Sequence, residues 1–83
     1  MKLVYFAWIR QKIGLTEETV APPADVSRVG ELLDWLAARG PNFQAALKNR
    51  DIVKVAVNQD YAGLDHPIGP NDEIALFPPV TGG

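Results

Sequence analysis

Few side chains in this chain of 83 residues could carry out chemistry. There is no cysteine, which removes disulfides, thiolate metal sites, iron–sulfur clusters and cysteine nucleophiles together. His66 is the single histidine and sits in Asp65-His66-Pro67, a loop setting that points to a structural or exposed ring. Asp72 and Glu73 are adjacent. If Glu73 begins a strand, the two side chains point to different sides, which suits a turn better than an acid–base pair. The seven glycines form neither a G-x-G-x-x-G nor a P-loop spacing. Trp8 and Trp35 read as packing or interface residues. No cofactor and no metal is therefore expected on this chain.

One feature remains, the end Phe77-Pro78-Pro79-Val80-Thr81-Gly82-Gly83. Two prolines restrict φ and favour an extended path, so the tail is expected to project from the domain. From Pro78 to Gly83 it reaches at most ~20 Å when extended. Gly82 and Gly83 carry no side chains and can enter a channel that a larger residue would block. The terminal carboxylate, with an ordinary pKa of about 3.3–3.7, is ionised at neutral pH and is a poor electrophile. It becomes reactive only as an acyl-adenylate or similar ester made elsewhere. Terminal glycines alone are common in flexible chain ends. They carry more weight after a compact core and a Pro-Pro spacer.

The elements needed to position such a tail can be read from the apolar pattern. Leu3 to Ile9 is rich in β-formers with both parities apolar, which predicts a central strand covered on both faces. Arg10 to Ile13 predicts one helical turn stopped by Gly14. Thr16 to Ala21 predicts a second strand, ended by Pro22 and Pro23 and paired antiparallel with the first. Ser27 is the expected N-cap of a helix with the stripe Val29, Leu32, Leu33 and Leu36, ended by Gly40 and Pro41. Gly30 is a weak point in it, at about 1 kcal/mol against alanine. Asn42 is expected to cap a second short helix carrying Phe43, Ala46 and Leu47. Ile52 to Val57 reads as a third strand, Tyr61 to Leu64 as a short edge strand, and Glu73 to Phe77 as the last, after the turn Gly69-Pro70-Asn71-Asp72. This order predicts an α+β chain: a mixed sheet of about five strands with one main helix packed on one face, the β-grasp arrangement of ubiquitin. The domain is expected over 1–77 and the extended tail over 78–83.

Composition narrows the class. A chain of this length suits one domain. Net charge is −2, and the eight basic residues form no cluster, which argues against nucleic acid. No stretch approaches the ~20 apolar residues of a membrane span, and Met1 to Arg10 lacks the features of a signal peptide. The expected address is the cytoplasm.

The tail motif resembles the C-terminus of the molybdopterin synthase small-subunit family, also called the molybdopterin-converting factor small subunit. The likeness continues through Val57-Asn58-Gln59, Asp65-His66-Pro67 and Asp72-Glu73-Ile74, and through Val4-Tyr5-Phe6-Ala7 and Gly14. Asn71 departs from it, standing where the family's turn has glycine; asparagine also tolerates the left-handed conformation. The resemblance implies that a ubiquitin-activating-like adenylyltransferase uses ATP to adenylate Gly83. A sulfur donor protein then displaces AMP to leave a thiocarboxylate. It also implies that Pro79, Val80, Thr81, Gly82 and Gly83 enter the active site of a large subunit in a heterotetramer. There the sulfur passes to cyclic pyranopterin monophosphate, and two deliveries build the dithiolene of molybdopterin. This chain would be the sulfur-donor subunit of a sulfurtransferase, with the acid–base groups on its partner.

Phe6 and Phe77 are expected on neighbouring strands near the tail root, with Tyr61 joining them in an apolar docking patch. Burial of both phenylalanines under the helix would defeat that expectation. Rival readings are the sulfur carrier of thiamine biosynthesis, a ubiquitin-like modifier joined to protein lysines, and an interaction domain with an inert end.

Overall fold

The computed structural model describes residues 1–79. Its frame is a mixed sheet of β1 (Lys2–Tyr5), β2 (Glu17–Thr19), β3 (Lys54–Val57), β4 (Asp60–Ala62) and β5 (Glu73–Phe77), in the order β2-β1-β5-β3-β4. β1 and β5 pair in parallel, and the other neighbours are antiparallel. The last strand thus lies in the middle of the sheet. This is the β-grasp topology expected from the element order.

Alternation decides which face is buried. Leu3 and Tyr5 of β1, Ile74 and Leu76 of β5, and Val55 and Val57 of β3 all point to the core. Three helices cover that face: α1 (Ala7–Ile13), α2 (Val29–Ala37) and α3 (Pro41–Leu47). The expected main helix is α2, and the two shorter helices share its cover of the sheet. α2 contributes Val29, Leu32, Leu33 and Leu36, each fully buried, but α1 adds Ile9 and Ile13, and α3 adds Phe43, Ala46 and Leu47. Each fully buried leucine is worth about 1.5–3 kcal/mol. A sheet covered on both faces was also expected, and that is corrected: Lys2 is exposed and Val4 only half-buried on the other side.

The first strand stops at Tyr5, four residues sooner than its β-forming composition suggested. Ala7 takes φ +53°, a left-handed conformation that costs a non-glycine residue about 1–2 kcal/mol. That single residue turns the chain from strand into helix. Ile9 and Ile13, four apart, then bury one face of α1, and Gly14 (φ +87°) closes it by donating to the Arg10 carbonyl.

The N-cap of α2 is Arg28, not Ser27. The Ser27 backbone N–H and hydroxyl both donate to Glu31 Oε1, at 2.9 and 3.2 Å. The free N–H groups of Val29 and Gly30 donate to the carbonyls of His66 and Leu64, so a distant loop caps this helix. Asn42 likewise does not cap α3, whose N-cap is Gly40 with proline in the first turn. The Asn42 side chain instead donates to the Ile13 carbonyl at 2.7 Å and ties α3 to α1. A 3-10 turn (Arg50–Ile52) delays β3 to Lys54. Asn58 and Gln59, both at positive φ, make the two-residue turn of the β3–β4 hairpin.

Candidate functional site

The uncovered face of the sheet carries the side chains that alternate with the core. Register places Val4 beside Ala75, Ala75 beside Ala56, and Ala56 beside Tyr61, an apolar row across four strands. The next row lies closer to the tail. The pair Tyr5–Leu76 puts Phe6 level with Phe77, and the Phe6 N–H donates to the Leu76 carbonyl at 3.1 Å. Lys54 pairs with Phe77 on the other side.

The structure brings Tyr61 and Phe77 into contact, with ring centroids 5.8 Å apart. Tyr61 is 82% exposed, Phe6 47% exposed and Phe77 half-buried, so neither phenylalanine lies under a helix. A cavity of about 710 Å3 opens here, lined among others by Val53, Lys54, Tyr61, Leu64, Phe77 and Pro79. Pro79 therefore sits at the edge of this apolar surface. Val80, Thr81, Gly82 and Gly83, the remaining tail residues singled out above, lie outside the described residues.

Sequence reasoning missed Leu64, Lys54, Val4 and Ala75 as parts of this face. The period-two alternation of β1 and β5 contained the signal for Val4 and Ala75. Leu64 is 51% exposed, and its backbone is held against α2, where the Gly30 N–H donates to its carbonyl at 2.9 Å and a Cβ on Gly30 would stand 3.4 Å from that oxygen.

Beneath the patch, the end of β1 is fastened by a polar network. The buried Tyr5 hydroxyl donates to Glu18 Oε2 at 2.6 Å. Arg39 donates to both oxygens of the same carboxylate, at 2.8 and 3.0 Å, and its guanidinium lies over the rings of Trp35 and Phe43. Burial, then the Glu18 hydrogen bond and its charge, push the Tyr5 hydroxyl well above its ordinary range. Burial opposes ionisation of Glu18 too, but hydrogen bonds from Arg39 and Tyr5 outweigh it and hold the carboxyl below its ordinary value. Asp72 is likewise held low by Asn58 and by the Gly69 N–H, which secures the turn before β5.

Among the described residues no group of three or more His, Cys, Asp or Glu side chains could hold a metal ion, and no helix is long and apolar enough to cross a membrane. Among the described residues the site is an exposed aromatic surface beside the end of the central strand, with no cluster of side chains set for catalysis.

A helix-backed β-grasp sheet, bare and apolar on its far face, with its central strand leading toward a Gly-Gly sequence, defines a ubiquitin-like protein. Within that class, the ThiS family model matches residues 3–83, and the chain belongs to this family. It is 39% identical over 83 residues to the molybdopterin synthase sulfur carrier subunit of Escherichia coli, covering 100% of this chain and 99% of that one. The protein of the same name from Haemophilus influenzae is 32% identical over 83 residues, with 100% and 99% covered. Among solved structures, SAMP1, the small archaeal modifier protein 1 of Haloferax volcanii, superposes with a TM-score of 0.79 at 31% identity. That match covers 100% of this chain and 98% of the other.

Proposed function

We propose that this chain is the sulfur carrier subunit of molybdopterin synthase, and that its working group is the carboxyl group of Gly83. The observation that supports this most is full-length similarity to proteins of that name, on a fold whose central strand runs out beside an exposed aromatic patch. In this reading the Gly83 carboxylate attacks the α-phosphorus of ATP on an adenylyltransferase and pyrophosphate leaves. Sulfide-level sulfur from a donor protein, delivered as sulfide or as a persulfide whose S–S bond a second thiol then cleaves to form a disulfide, displaces AMP from the acyl carbon, and the thiocarboxylate travels with the chain. Phe6, Tyr61 and Phe77 dock on the large subunit, the tail from Pro79 onward enters its active site, and the sulfur passes to cyclic pyranopterin monophosphate. ATP is used by the activating enzyme and not held by this chain. The cycle belongs in the cytoplasm, where reduced sulfur donors persist. The family model alone does not separate this reading from thiamine biosynthesis. The names of the curated relatives favour molybdopterin.

A second reading has its own support: the likeness to SAMP1, a modifier protein, at 31% identity over the whole chain. There the same adenylate would be captured by a lysine amine.

Intact-mass measurement after incubation with the cognate activating enzyme, ATP and a sulfur source tests both. Exchange of one terminal oxygen for sulfur is the expected result. Attachment to protein lysines without that exchange would move the conclusion to the modifier. No change, with the enzyme active on a control carrier, would refute both.

A further inference from the structure

A second groove, of about 430 Å3, lies between α1, α3 and the 3-10 turn, away from the bare sheet face. Trp8, half-buried, and Ile52, 41% exposed, give it an apolar lining. Lys12 and Lys48 stand at its wall, both exposed and neither ion-paired among the described residues. Arg50 and Asp51 line both this groove and the aromatic cavity beside the tail root, so the 3-10 turn is a wall common to the two. Lys12, Lys48, Lys54 and Arg50 line one or both of these grooves, but Arg50 is paired with Asp34 at 3.0 Å, and Asp51 is the one carboxylate of the lining, in a chain whose net charge is −2. The lining of the two grooves is thus net basic in a chain that is net acidic.

We infer that this groove is a second docking element, taking an acidic segment of the large synthase subunit that carries an apolar side chain for the Trp8–Ile52 floor. The inference rests on the carrier reading above and extends its interface. Apolar lining alone would fit many occupants. Two lysines in no ion pair among the described residues, outnumbering the single carboxylate of the lining and separated from the aromatic cavity by the 3-10 turn, select an acidic one. Charges so placed steer encounter and set register more than they add affinity. A partner gripping both cavities would straddle the 3-10 turn and fix the direction in which β5 points its tail.

The test uses the full chain labelled with 5-fluorotryptophan and the cognate large subunit. The fluorine resonance of Trp8 should shift on complex formation, while that of Trp35, outside the groove, serves as the internal reference. Lys12→Glu/Lys48→Glu should slow association about tenfold or more at low ionic strength and flatten its salt dependence. Both lysines are exposed, and Lys12 stands in the last turn of α1 where the helix dipole favours a cation, so the variant should stay folded with a melting temperature at most a few degrees lower. An unmoved Trp8 resonance, or wild-type association by the charge-reversed chain, overturns the inference while leaving the carrier reading intact. Failure of the unaltered chain to bind the large subunit overturns both, and the mass measurement then shows independently whether Gly83 is thiolated.

Discussion

Replacing Glu18 with alanine is expected to destabilise the domain far more than an ordinary surface change. Its side chain is only 14% exposed and joins three elements: β2, Tyr5 on β1, and Arg39 just beyond α2. Without it the Tyr5 hydroxyl, fully buried, has no acceptor, a loss of about 1–3 kcal/mol. Arg39 loses two charge-assisted bonds, but its side chain is 31% exposed and keeps its aromatic contacts, so water offsets most of that loss. The sum is about 2–3 kcal/mol, or about 10–20 °C in Tm for a domain of this size. Tyr5→Phe should cost only about 1 kcal/mol, because Glu18 keeps Arg39. The double variant should fall short of the summed losses by roughly 1 kcal/mol. Urea titration followed by tryptophan fluorescence measures all three. The pH dependence carries a sign. Glu18 has a folded pKa below its ordinary 4.5, so its contribution is complete above that value and is lost as pH falls through the depressed one. Tyr5 is shifted upward, so its contribution is complete below pH 10.0 and declines as pH rises beyond it. A Glu18→Ala loss under about 0.5 kcal/mol, or strict additivity with Tyr5→Phe, would refute this account of the network.

Three further outcomes follow from the same geometry. Tyr61→Ala, at a residue 82% exposed, should weaken binding to the large subunit by about tenfold with little change in Tm, read by calorimetric titration and thermal melting. Gln59→Gly, at φ +75°, should stabilise the β3–β4 hairpin by about 0.5–1 kcal/mol, since Asn-Gly suits that turn; a loss in urea titration would argue against the turn assignment. Gly30→Ala should be close to neutral, because about 1 kcal/mol of helix preference is set against a tight 3.4 Å approach to the Leu64 carbonyl. Gly30→Val should lose clearly more in the same titration.

Much of the fold was legible where one residue type dominates a period. The leucine stripe of α2 and the alternation in β5 placed both elements correctly. The errors have local physical causes. Trp8 and Ile9 are strong β-formers, yet they lie in α1 because Ala7 adopts a left-handed φ that its side chain does not advertise. Ile9 and Ile13 did hold the helical spacing, but Ile9 also closes the apolar run from Leu3 and so reads as its last strand residue. Ser27 looked like a cap, but the α2 N–H groups found the Leu64 and His66 carbonyls, a pairing across more than thirty residues that no local pattern can show. The Tyr5–Glu18–Arg39 network is invisible for the same reason. At the candidate site, Phe6, Tyr61 and Phe77 could be named from strand order, because each stands on or beside a strand. The groove of Trp8, Ile52, Lys12 and Lys48 could not, because it exists only after α1 packs beside α3.

The parallel pairing of β1 and β5 has a mechanical outcome. When a protein draws in the C-terminal peptide, tension runs along β5, which is bonded on one flank to β1 and on the other to β3. Those hydrogen bonds lie across the direction of pull, so they must shear together and cannot unzip one at a time. A pull applied beyond Phe77 would therefore meet both flanking ladders at once, and the central strand would resist being stripped from the sheet.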